Sequence, residues 1–97
     1  MIRHTVVFKL KHPAGSQAER DFIDAGRILA AISTVRNFEV LRQTSRKNKY
    51  DFGFSMEFCT AQDYQFYNDH PSHIRFVQTR WIPEVSDFLE IDYEPLN

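Results

Sequence analysis

Residues 67–76 read YNDHPSHIRF, so Tyr67, Asp69, His70 and His73 fall within seven positions, with Pro71 between the two histidines. Imidazole and phenol at that spacing can do proton chemistry. A neutral imidazole takes a proton near pH 7, and a phenol or a second imidazole holds the charge that develops. The same stretch also has a plain structural use. His70 directly precedes a proline suited to the first position of a helix, where a side-chain cap or a hydrogen bond to backbone accounts for it. His73 lies three residues further on and can face another direction.

A third histidine, His4, belongs with this group. Residues 2–10 alternate, with Ile2, His4, Val6, Phe8 and Leu10 on one face and Arg3, Thr5, Val7 and Lys9 on the other. His4 therefore points from an apolar strand face toward the layer where helices pack. If the helical region of residues 60–82 covers that face, then His4, Tyr67, His70 and His73 can converge on one cavity. Phe22, Phe52, Phe54, Met56 and Trp81 would supply its apolar walls. His12, beside Pro13 in a loop, is expected to be exposed.

Other chemistries find less support. His70 and His73 form an i, i+3 pair, but Pro71 interrupts the helix between them and no third ligand is set by spacing, so no metal site is expected. Cys59 is the one cysteine, which excludes an internal disulfide. It has no histidine or basic residue at fixed spacing to activate it. The three glycines are not clustered, so there is no phosphate loop. A net charge of −1 argues against nucleic acid as a partner. No apolar run approaches a membrane span, and the N-terminus alternates instead of forming a signal sequence, so a cytoplasmic protein with no membrane partner is expected. With 97 residues, 42% of them hydrophobic, the chain fits one domain with a modest core over residues 1–97.

The elements that must position these groups are legible. Ser16 and Glu19 form a capping box that opens a helix with Phe22, Ala25, Leu29 and Ile32 on its buried stripe, fading near residues 33–36. Gly26 beside that stripe permits close approach to a sheet. Residues 38–44 read as a second strand, and the cationic SRKNK that follows as a solvated turn. In residues 50–58, Tyr50, Phe52, Phe54, Met56 and Phe58 point one way. Thr60 and Asp63 open a second helix ending near residues 68–69. Pro71 starts another helix, which Pro83 disturbs or ends, and residues 86–93 form a closing strand. The order β-α-β-β-α-β is that of a ferredoxin-like α+β fold: a four-stranded antiparallel sheet with helices on one face. The other face would carry Val7, Leu41, Leu89 and Ile91, and pairing two sheets into a homodimer would cover it.

The stretches HTVVFKLK, YDFGFSMEF, YQFYNDHPSHIRFV and FLEIDYEP occur in the order and spacing of the stress-responsive dimeric A/B barrel proteins, which this chain resembles over nearly its whole length. The Y-x-x-H-P-x-H cluster is the most specific element. The resemblance implies a ferredoxin-like subunit that dimerises through its sheet into an α+β barrel. Within that family the plant polyketide cyclases carry out a cofactor-free aldol condensation. By motif position, His73 resembles their base, Tyr67 the tyrosine that assists it, and His4 their first-strand histidine. Phe52 stands where those cyclases carry a third-strand histidine, a departure that bears on the reaction but not on an acid–base pocket. Three functions therefore remain open: a cofactor-free enzyme, cyclase- or lyase-like, acting on a small apolar carbonyl compound; a non-catalytic, stress-related or scaffolding dimer; and a cofactor-free monooxygenase of the same fold. An open cavity touching His4 and His73 together separates the first from the second.

Overall fold

The computed structural model describes residues 1–97. Strand β1 (Ile2–Leu10) leads through a turn to helix α1 (Gln17–Gly26), which tightens into a 3₁₀ segment at Arg27–Ala31. Strands β2 (Arg36–Arg42) and β3 (Phe52–Phe58) follow, then helices α2 (Ala61–Asp69) and α3 (Pro71–Phe76). The last helical stretch widens into a π turn at Val77–Trp81, closes with Ile82–Glu84, and runs into β4 (Val85–Tyr93). The sheet order is β2-β3-β1-β4 with every neighbouring pair antiparallel. This is the ferredoxin-like arrangement the element order implies.

The apolar alternation of β1 and β3 builds the core. Val6, Phe8, Leu10, Phe52, Phe54, Met56 and Phe58 are all buried on the helix-facing side. The stripe of α1 and of the 3₁₀ segment after it closes over them, with Phe22 fully buried and Leu29 and the following Ile32 nearly so. Ser16 caps α1 by accepting from the Glu19 N–H. Gly26 is the point of closest approach: a Cβ there would stand 2.5 Å from the tip of the Phe54 ring, which is itself buried.

Three local readings need correction. β2 begins at Arg36, two residues earlier than expected, because a bulge lies between Arg36 and Glu39. Asn37 supplies it by adopting φ 52°, a conformation asparagine tolerates, and donates to the Glu57 carboxylate at 2.6 Å. β3 begins at Phe52, with Tyr50 in the preceding loop. His12 is not free in solvent. Its Nε2 lies 2.7 Å from Glu84 Oε1, and Arg80 Nε donates to the other carboxylate oxygen at 2.6 Å. That cluster fastens the loop after β1 to the end of the last helix. Pro83 disturbs the last helix, as expected, and the helix ends at Glu84. Its ring cannot donate to the carbonyl four residues back, and the chain widens so that Ile82 N–H reaches Val77 C=O.

Candidate functional site

The junction of α2 and α3 answers what two histidines do around a proline. Helix ends leave backbone groups unpaired, and here each imidazole satisfies one of them. His70 is the cap of α3: its Nδ1 accepts from the Ser72 N–H at 3.0 Å, with Pro71 in the first helical position. His73 reaches back to α2, where its Nδ1 lies 3.1 Å from the Asn68 carbonyl oxygen. A carbonyl can only accept, so Nδ1 of His73 carries the proton and Nε2 keeps a lone pair. His70 holds the opposite tautomer, with Nδ1 as acceptor. The neighbours of His70 face away from the sheet: it meets the edge of Phe66, which is half exposed.

His73 instead turns its ring toward the sheet and packs at 4.4 Å (ring centroids) on Tyr67. Both line a cavity of about 340 Å³ between the sheet and the helices, and His4 lines it as well. Burial lowers the pKa of His73 below its ordinary value of 6.5, outweighing the bond to Asn68. The imidazole is therefore neutral at pH 7. Tyr67 is buried, and desolvation, reinforced by the Glu90 charge, raises the pKa of its phenol well above the usual range. Its hydroxyl stays protonated, bonds to no other protein group, and is a ready donor.

At the other side of the cavity His4 is anchored by side chains. Its Nδ1 lies 2.6 Å from Asp92 Oδ1 and 2.8 Å from the Tyr64 hydroxyl, which donates to Asp92 Oδ2 at 2.8 Å. Antiparallel pairing of His4 with Asp92 across β1 and β4 puts the two on one face. Tyr64 comes from α2, capped by Thr60, and lies flat on Phe58 at 4.8 Å. Burial, then the Asp92 carboxylate, raises the pKa of Tyr64, so it too remains a donor. With Nδ1 of His4 directed at a carboxylate, its Nε2 is the nitrogen left for other partners.

The remaining walls are apolar. Val6, Phe54 and Met56 form the floor; Phe76, Val77 and Trp81 form the helical side. Two of these, Val77 and Trp81, bound the π turn, a feature that recurs at functional sites. Of the anticipated wall residues, Phe54, Met56 and Trp81 line the cavity while Phe22, Phe52 and His70 do not. Phe22 and Phe52 are consumed by the aromatic core around Phe8, at ring distances of 5.7 and 5.9 Å. His70 is occupied as a cap. Phe88 and Glu90 also line the cavity and Asp92 and Tyr64 hold His4, and no local signal in the sequence marks these four for the site. The alternation of β4 puts Phe88, Glu90 and Asp92 on one face, but only the register with β1 brings Asp92 beside His4. No three His, Cys, Asp or Glu side chains converge as a group able to hold a metal ion.

A ferredoxin-like subunit with an apolar cavity under its helices, and two oriented imidazoles and a phenol on the wall, is the class of protein that this architecture defines. The chain belongs to the stress responsive A/B barrel domain (Dabb) family, whose model matches residues 2–95. Among solved structures it is similar to a Dabb family protein with a ferredoxin-like fold from Mesorhizobium loti, at 59% identity and TM-score 0.96, covering 99% of this chain and 97% of the other. A dimeric ferredoxin-like protein of unknown function from Thermobifida fusca is 22% identical, with TM-score 0.80 over 97% and 90% of the two chains. A hydroxynitrile lyase from Passiflora edulis is 13% identical, with TM-score 0.83 over 99% and 94%. At those identities the last two show the fold alone. No curated protein sequence matches the chain. No helix is long and apolar enough to cross a membrane.

Proposed function

We propose that this chain is the subunit of a homodimer whose cavity binds a small, largely apolar carbonyl compound and carries out a cofactor-free proton transfer on it, of cyclase or lyase type. The observation that carries this reading is the 3.1 Å contact of His73 Nδ1 with the Asn68 carbonyl oxygen, which sets the tautomer of the ring. Asn68 holds the proton on Nδ1, burial keeps the ring neutral, and the ring belongs to the same cavity wall as Tyr67 and His4. In the proposed step Nε2 of His73 takes a proton from the carbon next to the carbonyl. The C–H electron pair moves into the enolate, and the Tyr67 hydroxyl donates a hydrogen bond to the oxygen on which charge collects. His4, held by Asp92 and Tyr64, is placed to orient the ligand from the opposite wall. The open cavity favours this reading over a scaffold whose interior is filled by side chains.

The dimer rests on the other sheet face. Leu41, Leu89 and Ile91 are 44, 48 and 38% exposed there, a strip that a second sheet would cover. Neighbours of this fold from Thermobifida fusca and other sources are described as dimeric.

The test is a screen of small ketones by thermal shift on wild type, His73→Ala and His70→Ala. A compound that stabilises wild type and His70→Ala but not His73→Ala supports the site. Turnover of a reactive carbonyl substrate should fall about 10²- to 10⁴-fold in His73→Ala, the usual loss for a general base. Equal binding and turnover in wild type and His73→Ala would refute the role. Light scattering at micromolar concentration showing only an 11.5 kDa species would refute the dimer.

A further inference from the structure

The cavity has a charge pattern that the acid–base reading does not use. Its ionisable wall residues are His4, Tyr67, His73 and Glu90, and neither lysine nor arginine is among the residues that line it. Among the cations outside the lining, Arg3 pairs with Glu57, Arg80 with Glu84, and Lys49 with Asp87, while Arg75 of α3 is exposed to solvent. His4 is directed at Asp92, and Asp92 in turn accepts from Tyr64. Glu90 differs from all of these. It lies on the inward face of β4, paired across to Val6 on the cavity floor, and its carboxylate has no hydrogen-bond or ion-pair partner in the protein. Its charge is felt across the site, where it acts on Tyr64, Tyr67 and His73.

We infer that the cavity selects uncharged carbonyl compounds bearing a hydrogen-bond donor, and that Glu90 is the residue that sets this choice by rejecting carboxylates and accepting from a hydroxyl or amide N–H of the ligand. This inference rests on the proposed ligand-binding role of the cavity and narrows its substrate class. A ligand carboxylate brought in beside Glu90 meets a like charge at the cavity mouth, with no lysine or arginine among the lining residues to offset it. A neutral amide of the same shape gives up none of its packing and gains an acceptor for its N–H groups. The apolar floor accommodates an aromatic ring, and the carbonyl lies toward Tyr67 and His73.

The test uses a pair of isosteric probes, 4-acetylbenzamide and 4-acetylbenzoate, which share ring and ketone and differ only in the charge of the para group. A ketone forms imines with surface lysines less readily than an aldehyde does. Trp81 is the one tryptophan and lines the cavity, so its fluorescence reports occupancy directly. Both probes are titrated at pH 7.5 into wild type and Glu90→Gln, with saturation-transfer NMR as a second readout. Glu90 is exposed on an edge strand and glutamine is nearly its isostere, and a thermal melt confirms that the variant is folded. The expected result is an amide preference of about tenfold in wild type that falls to within threefold in Glu90→Gln, mainly through tighter binding of the carboxylate. The lack of an amide preference in wild type, or an amide preference that survives in Glu90→Gln, overturns the inference and leaves the ligand-binding reading standing. Failure of both probes to perturb Trp81 or to show transfer at millimolar concentration counts against that reading itself, and the inference falls with it.

Discussion

The helix-facing side of the sheet has two ends that are built from similar residues and behave differently. At one end Phe8, Phe22 and Phe52 interlock, with ring centroids 5.7 and 5.9 Å from Phe8, and Phe54, 4.9 Å from Phe8, stands between this end and the cavity whose floor it joins. At the other, His4, Tyr67 and His73 stand around an open cavity. Both ends lie beneath helices and both are rich in rings. The difference is what approaches them. α1 comes down through Gly26 until its backbone meets the tip of Phe54, which closes the first end. Over the second, the chain passes through a helix break at Pro71 and a π turn before Pro83, and neither stretch packs as a straight helix would. Polar side chains at the open end are tied to fixed partners, His73 to Asn68 and His4 to Asp92, so they do not collapse inward.

The largest effect should come from breaking the closed end. Phe22→Ala removes a fully buried ring from the aromatic cluster and is expected to cost about 3–5 kcal/mol, read by urea denaturation at fixed protein concentration. A cost near that of a surface substitution would mean that the two ends are equally loose. Next is Gly26→Ala, where a Cβ at 2.5 Å from Phe54 forces the helix or the ring to move. Overpacking of this kind should destabilise by about 1–3 kcal/mol despite the better helix propensity of alanine. A net gain in stability would show that α1 does not press on the sheet there.

These packing features explain what could be read without a structure. Strict alternation in β1 and β3, the Ser16 and Thr60 caps and Pro71 at a helix start are local signals, and they placed the elements and the inward face of His4. Competition for the same rings is not local. Phe22 and Phe52 qualify as cavity walls by face and apolarity alike, and only the three-dimensional packing around Phe8 commits them to the core. The same holds for Asp92, whose approach to His4 depends on the register of β4 against β1, and for Glu84, which draws His12 out of solvent.

A smaller effect separates the two histidines of the junction. His70→Ala removes the cap on Ser72 N–H and should cost about 1 kcal/mol. In a domain of this size that corresponds to a melting shift of about 4–8 °C. Ligand binding in the cavity should be unchanged, since His70 does not line it. Loss of binding in His70→Ala with an intact fold would place that residue in the site.

The smallest effect is on the pH dependence of stability. The folded pKa of His73 lies below 6.5, so between that lower value and 6.5 the unfolded chain binds more protons than the folded one. Stability therefore rises with pH through this window. The favourable contribution is fully present above 6.5 and is lost as pH falls through the folded pKa. Comparing wild type with His73→Gln should reveal a shallower slope between pH 5 and 7 in the variant. An unchanged or steeper slope would assign the desolvation to another group.

The central claim is that His73 presents an unprotonated Nε2 to the cavity, and ¹H–¹⁵N correlation of the imidazole nitrogens at pH 7 tests it most directly. His73 should appear as a neutral ring with its proton on Nδ1, and His70, three residues away, as the opposite tautomer with its proton on Nε2. A doubly protonated His73, or one carrying its proton on Nε2, would contradict the account.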